Sequence, residues 1–307
     1  MDIIQKTKRE IAQLKKIQGA TQVARAVVLA IKKYGESIRT EKKSEFLKKL
    51  NSTSKDLLSA RPTEPLAQNA VKFIFYRIKK AKDVQELKLE LKKSSSEILE
   101  TIEKSKATIA SQVAKIIKNE DKVFTHCHSS TVEEGFKIAK KQGKHFYVFN
   151  TETRPLFQGH ITAKNLIKYN IPVTMVVDSS AAFLISRHSG RELMIDKVII
   201  GCDAILPDGS IINKIGSFGI GLASYYEKVP LYIAATLLKF HSKSWIKIEK
   251  RPPKEIWKRA PKGLKIINFA FDMVPAQYIK GIVCEAGIIS PSNIKREVKK
   301  IYPWLIK

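Results

Sequence analysis

Two side chains in this sequence are suited to moving protons on a substrate: the thiol of Cys127 and the carboxyl of Asp203. Cys127 stands in Thr125-His126-Cys127-His128-Ser129-Ser130, where an apolar run gives way to hydroxyls that open a helix. A cysteine at such a junction lies near backbone N–H groups and the positive end of a helix dipole, and both favour a thiolate. The first turn of the same helix, Ser129-Ser130-Thr131, is a place where phosphate can bind. A free cysteine can equally be a small buried hydrophobe, and position alone leaves the two open. Asp203 follows Ile199-Ile200-Gly201-Cys202 and precedes Ala204-Ile205. A carboxyl among apolar neighbours tends to hold its proton to higher pH, so it can serve as an acid near neutrality. A sulfur that accepts a proton, paired with an acid that donates one, is a general acid–base couple. The competing role for Asp203 is to cap the turn at Pro207-Asp208-Gly209.

Further polar residues stand just past apolar runs. Asn213-Lys214-Ile215-Gly216-Ser217 supplies an amide, a cation and a helix start, and Lys239 adds a charge after a later run. Thr151-Glu152-Thr153-Arg154 and Asp178-Ser179-Ser180 occupy similar places, the latter being equally suited to capping a turn. Cys202 and Cys284 lie at or near apolar runs and read as buried. Three cysteines at wide spacing make neither a disulfide framework nor a Cys-x-x-Cys metal knuckle. His126-Cys127-His128 could suggest a metal, but adjacent residues of an extended chain point to opposite faces; no metal and no cofactor is expected. No Gly-x-Gly-x-x-Gly follows the first strand, which argues against a dinucleotide.

The elements that must position these residues fall into two regions. From Ile3 to about Lys118 apolar residues recur at helical spacing, as in Ile4, Ile11, Leu14 and Ile17, and again from Ile98 through Ile109 to Ile117. Arg61-Pro62-Thr63-Glu64-Pro65 reads as a connection between helices. After Asp121 short runs predict strands at 122–125, 146–149, 173–177, 198–200, 231–235 and 281–284. Helical stretches at 132–141, 163–169 and 220–227 lie between them. Strands alternating with helices form a parallel sheet with crossovers. The expected fold is therefore α/β: a helical N-terminal domain over 1–118, then a Rossmann-like parallel-sheet domain over 119–307 carrying the catalytic residues. In an open parallel sheet, ligands sit beyond the carboxyl ends of the strands, where Cys127, Thr151–Arg154, Asp178 and Asp203 all fall.

The formal charge of +27 fits phosphorylated or polyanionic partners, but the lysines are spread along the chain without an RNA-binding aromatic signature. No run of eighteen apolar residues suggests a membrane span, and the amphipathic opening residues do not resemble a secretory signal. A cytoplasmic protein is the expectation.

Several of these motifs together resemble a known family. The runs Thr125–Ser130, Glu152-Thr153-Arg154-Pro155-Leu156-Phe157-Gln158-Gly159, Gly201–Ile205, Ile212–Ser217 and Phe269-Ala270-Phe271-Asp272 are similar to those of archaeal ribose-1,5-bisphosphate isomerases. These share a superfamily with methylthioribose-1-phosphate isomerases and with the alpha, beta and delta regulatory subunits of the translation-initiation exchange factor 2B. The resemblance runs from about Gln18 to Ile289. It implies conversion of alpha-D-ribose 1,5-bisphosphate to D-ribulose 1,5-bisphosphate within AMP degradation, with Cys127 and Asp203 catalytic. It also implies phosphate contacts from Gln18, Gly19, Ala20, Thr21, Arg61, Ser129, Ser130, Thr131, Asn213, Lys214 and Lys239. Regulatory subunits of the superfamily usually lack the cysteine and the aspartate. The alternatives are such a non-catalytic subunit, with an initiation factor or nucleic acid as partner, or a methylthioribose-type isomerase. The family assembles through its α/β domains, so a homo-oligomer, dimer or hexamer, is expected. The sequence departs from the family pattern at Gln18 and Thr21, where an arginine and a glycine are usual, and at Thr236, where a glutamate is usual. The segment Ser186–Arg191 looks inserted, and its arginines are candidates to replace the lost phosphate contact.

Overall fold

The computed structural model describes residues 3–13 and 19–306. The chain divides into two compact units, one of Met1–Lys104, Leu238–Phe240 and Val298–Lys307, the other of Ser105–Leu237 and His241–Glu297.

The first unit is helical: α1 (Ile3–Gln13), α2 (Ala20–Ser37), α3 (Lys43–Leu58), α4 (Pro65–Ile78) and the part of α5 (Val84–Ile116) up to Lys104. Of the apolar stripes read from the sequence, Ile4, Ile11 and Ile98 are buried here, together with Ile31, Leu50 and Ile74; Leu14 and Ile17 lie outside the described residues. Pro65 opens α4, where its missing N–H costs nothing. The segment Arg61–Glu64 joins α3 to α4 as expected. The last residues of the chain close over α4: Trp304 stacks on Phe73 at 5.3 Å, and Lys72 donates to the Leu305 carbonyl at 3.0 Å.

The second unit is built on a seven-stranded sheet. Its strands are β1 (Asp121–Thr125), β2 (Phe146–Thr151), β3 (Val173–Val176), β4 (Lys197–Ile200), β7 (Leu231–Ala234), β9 (Gly281–Cys284) and β10 (Gly287–Ile289). Their order is β10-β9-β7-β4-β1-β2-β3, parallel throughout except for the β9–β10 pair. Crossover helices α6 (Ser130–Lys141), α7 (Gln158–Lys168), α8 (Ala181–Ile185) and α9 (Ser217–Tyr226) connect them, and α10 (Ile294–Ile301) follows. Central strands are buried on both faces, as continuous Val/Ile runs require: Val123, Val198, Ile199, Ile200 and Ile233 are all closed to solvent. Phe136 of α6 packs on Phe146 in this core.

Beside this sheet lies a second, antiparallel sheet of β5 (Ala204–Ile205), β6 (Ile211–Lys214) and β8 (Phe271–Val274). The sequence did not announce it, because strands of two to four residues carry too little periodicity. It places Asn213 and Lys214 on a strand, with the helix start immediately after them.

The helix α7 approaches β2 so closely that a Cβ on Gly159 would lie 1.8 Å from the Thr151 carbonyl oxygen. That neighbour is backbone and cannot swing aside. Gly159→Ala should therefore destabilise the protein by about 2 kcal/mol or more, read as a lowered midpoint in thermal unfolding; an unchanged midpoint would contradict the packing described.

Candidate active site

The strand order turns back at one place. From β1 the chain moves outward through β2 and β3, then returns to the other side of β1 as β4 and continues through β7 and β9. Ligand crevices of open α/β sheets lie at such a reversal, outside the carboxyl ends of the two strands. The loops that follow those two strands carry Cys127 and Asp203. β1 and β4 are neighbours in the sheet, paired at Phe124↔Val198, so the two loops leave the same edge side by side. A Cβ on Gly201 would stand 2.9 Å from Ser129 Oγ, so the loop leading to Asp203 runs directly against the start of α6.

Cys127 is half-buried and has a left-handed backbone, φ 65°, which a residue with a Cβ adopts only when its surroundings hold it there. Two threonines do so. Thr153 Oγ1 accepts the Cys127 N–H at 3.0 Å, and Thr162 Oγ1 donates to the Cys127 carbonyl at 2.9 Å. The Thr153 turn is fixed in its own right, since the Asp178 carboxylate accepts the N–H groups of Thr153 at 2.8 Å and Arg154 at 2.6 Å. Asp178 thus serves the turn-capping role open to it in the sequence.

Burial pushes the Cys127 thiol up to about 11, with Asp203 and Asp178 adding to the rise, while Lys214 and the His128 N–H pull the other way. Of the two roles that the sequence left open for this cysteine, burial favours the thiol. Loss of hydration outweighs the helix end, and the resting sulfur is a thiol. Because only the thiolate is nucleophilic, iodoacetamide labelling of Cys127 should be slow at neutral pH. It should rise about tenfold for each pH unit until near 11; a plateau beginning near pH 8 would contradict this environment.

Asp203 is half-buried at the mouth of the β5–β6 hairpin, and its N–H donates to the Ile212 carbonyl at 2.8 Å. The Pro207-Asp208-Gly209 turn is served instead by Asp208, which accepts from Ser210. Lys214 is buried with its ammonium 4.9 Å from the Phe271 ring. The Asn213 amide donates to Ser217 Oγ at 2.8 Å, and Ser217 Oγ donates to the Lys214 carbonyl at 2.7 Å, which braces the turn into α9. At that turn the Asp272 carboxylate accepts the Gly216 N–H at 2.7 Å, and burial raises its own pKa to about 6. The start of α9 thus already faces a carboxylate, which counts against that helix end as an anion site. Ser129 caps α6 by accepting the Val132 N–H, and Ser130 and Thr131 begin the helix.

The remaining expected contacts belong to the helical unit. Gly19 precedes α2 with φ 81°, and Ala20 and Thr21 open that helix. Arg61 is buried and paired with Glu64 at 2.7 Å. Lys239 ends a short 3-10 turn, Leu237–Lys239. Gln18 lies outside the described residues. Thr236, where the family pattern has a glutamate, donates to the Glu285 carboxylate at 2.9 Å. The Arg191 carbonyl accepts from Lys122 Nζ at 3.5 Å, and the Arg187 N–H donates to the Glu227 carboxylate at 3.2 Å.

Of the three cysteines, Cys202 and Cys284 are buried as the sequence suggested. What the sequence reading missed is the polar lattice behind Cys127: His126, Thr151, Thr153 and Thr162. A histidine within an apolar run, and two threonines past the next strand, were the available signal, since buried polar side chains require partners. No helix among the described residues is long and apolar enough to cross a membrane.

The chain matches the family model described as Initiation factor 2 subunit family over residues 16–291. It is 36% identical to the ribose 1,5-bisphosphate isomerase of Methanocaldococcus jannaschii, an alignment covering all of this chain and 98% of that protein. It is 34% identical to the 5-deoxyribose 1-phosphate isomerase of Clostridium botulinum, covering 85% and 79%. Its backbone is similar to a crystal structure of translation initiation factor eIF-2B from Pyrococcus horikoshii, with a TM-score of 0.80 and 27% identity over 94% of this chain and 97% of that one.

Proposed function

Since the chain belongs to the initiation factor 2 subunit family, we propose that it is one of the family's enzymes, converting alpha-D-ribose 1,5-bisphosphate to D-ribulose 1,5-bisphosphate in AMP degradation. The observation that carries this reading is the placement of Cys127 and Asp203 on the two loops that flank the strand-order reversal. The similarity along the full length to a protein bearing that isomerase name supports the substrate.

The chemistry has one central obstacle. Phosphate on the anomeric oxygen prevents the ring from opening by simple release of an aldehyde. A couple holding one proton overcomes it. With sulfur as thiolate and Asp203 as acid, sulfur takes the C2 proton while the C1–O4 bond breaks and Asp203 protonates O4. The product of that step is an enol phosphate. The thiol then returns a proton to C1 as the enol hydroxyl gives its own to Asp203, forming the C2 ketone and restoring both groups. Burial favours the thiol at rest, so the sulfur must give up its proton before it can act as the base. Lys214, Ser130 and Thr131 in this unit are assigned to phosphate binding. No cofactor enters the scheme.

Incubating the purified protein with ribose 1,5-bisphosphate and following ribulose 1,5-bisphosphate by phosphorus NMR tests the assignment. Turnover is expected, and it should exceed that of 5-deoxyribose 1-phosphate, which lacks a second phosphate for the cationic residues. The likeness to the eIF-2B structure favours a second reading, a regulatory subunit without catalysis. Failure of both sugar phosphates to react, together with co-purification with an initiation factor, would select it. Exposed Phe218, Tyr225 and Tyr226 on α9 and Met273 on β8 support assembly of the chain with itself. Light scattering should give a dimer or hexamer; a monomer at micromolar concentration would remove that assignment.

A further inference from the structure

We infer that His126 is a positioning residue, its ring joining the Cys127 turn to the turn after Lys214 through a one-way chain of hydrogen bonds that sets where the sulfur points. His126 is 2% exposed, and Thr151 and Thr153 are fully closed to solvent. Its Nε2 lies 2.9 Å from the Ile215 carbonyl oxygen, and its Nδ1 lies 2.6 Å from Thr151 Oγ1. Thr151 Oγ1 is 3.2 Å from Thr153 Oγ1, which accepts the Cys127 N–H at 3.0 Å.

The direction of every bond in this chain follows from what each group can do. A carbonyl oxygen only accepts, so Nε2 carries a hydrogen. Burial pushes the imidazole down to about 4, against the pull of Asp178 and the Ile215 carbonyl and in concert with the Lys214 charge. The ring is neutral near pH 7, and Nδ1 presents a lone pair. Thr151 therefore spends its one hydroxyl hydrogen on Nδ1, and Thr153 spends its own on Thr151. Thr153 then has its oxygen available for the Cys127 N–H. The chain runs from Cys127 through Thr153, Thr151 and His126 to Ile215 without a reversible link.

Its two ends are the parts of the site that must stay in register. One end holds a residue with a Cβ in the left-handed region, a conformation that persists only where the surroundings tie it down. The other end sits between Lys214 and Gly216. Gly216 has φ 105°, and a Cβ there would come within 3.3 Å of the imidazole Cε1, so the ring is fitted against this turn. Buried polar chains that are fully satisfied make a local structure rigid. Here the rigid element spans the sulfur on one loop and the strand that presents Lys214 on another. The inference about sulfur geometry stands without the isomerase assignment; its effect on turnover rests on that assignment.

The test is labelling of Cys127 by iodoacetamide at pH 8, quantified by mass spectrometry of its peptide, in the wild-type protein, His126→Phe, Thr153→Val and Thr153→Ser. His126→Phe and Thr153→Val break the chain at different links. Both should label at least about tenfold faster, because a released thiol gains hydration and ionises more readily. Thr153→Ser keeps the hydroxyl and should label within about twofold of wild type. With ribose 1,5-bisphosphate, the two chain-breaking variants should lose about 10- to 100-fold in kcat with KM changed by less than about threefold, and Thr153→Ser should recover kcat. Labelling at or below the wild-type rate in the chain-breaking variants would overturn the inference. If His126→Phe does not fold, the Thr153→Val and Thr153→Ser pair decides. Absence of turnover in the wild type would instead count against the isomerase reading, and the labelling result would stand apart from it.

Discussion

Replacing Cys127 by serine is expected to lower kcat for ribose 1,5-bisphosphate by about 10³-fold, near the middle of the range for losing a positioned acid–base group. Serine is nearly the same size, and the Thr153 and Thr162 bonds to the backbone of residue 127 do not depend on the side chain. The left-handed turn should therefore survive, and the unfolding midpoint should stay close to that of the wild type. What is lost is acidity: a hydroxyl cannot form the conjugate base that takes the C2 proton. Because the groups assigned to the phosphates are elsewhere, KM should change little. The measurement is initial rate against substrate concentration for the two proteins. Equal kcat in both would remove sulfur from the mechanism.

Asp203→Asn should reduce kcat/KM by about 10²- to 10⁴-fold. The backbone bond from residue 203 to the Ile212 carbonyl keeps the hairpin in place, and asparagine fills the same volume without a proton to give to O4. The two losses should not multiply. Residues that act as one unit show strong non-additivity, so the double variant should be little worse than the weaker single one. A double variant whose loss equals the product of the two would mean that the residues serve separate steps.

Much of this arrangement was legible in the sequence because strand ends announce themselves. An apolar run that stops at Thr125 and is followed by His126, Cys127 and hydroxyls marks both the end of β1 and the cap of α6. The same reasoning located the ends of β2, β3 and β4, and parallel alternation then required Cys127 and Asp203 to emerge on one edge. What local pattern could not show was which strands are neighbours. The contact of His126 with Ile215 joins residues 89 apart in the chain, and only the sheet order brings them together. The state of the sulfur was not legible for a related reason. A helix end is visible in sequence, whereas the burial that dominates the Cys127 thiol exists only in the folded chain. The antiparallel sheet of β5, β6 and β8 escaped notice because its strands are too short to show a period. Tyr302-Pro303-Trp304-Leu305 likewise gave no local sign that Trp304 would meet Phe73.

The account is tested most directly by asking whether the sugar bisphosphate covers Cys127. Iodoacetamide labelling of the wild-type protein at pH 8, with and without saturating ribose 1,5-bisphosphate, can be followed on the Cys127 peptide while buried Cys202 and Cys284 serve as internal references. Substrate, or the ribulose 1,5-bisphosphate formed from it, should slow labelling by about tenfold or more, as expected when bound ligand shields a thiol from solvent. An identical labelling rate with and without the bisphosphate would place the substrate away from this sulfur and contradict the mechanism built on it.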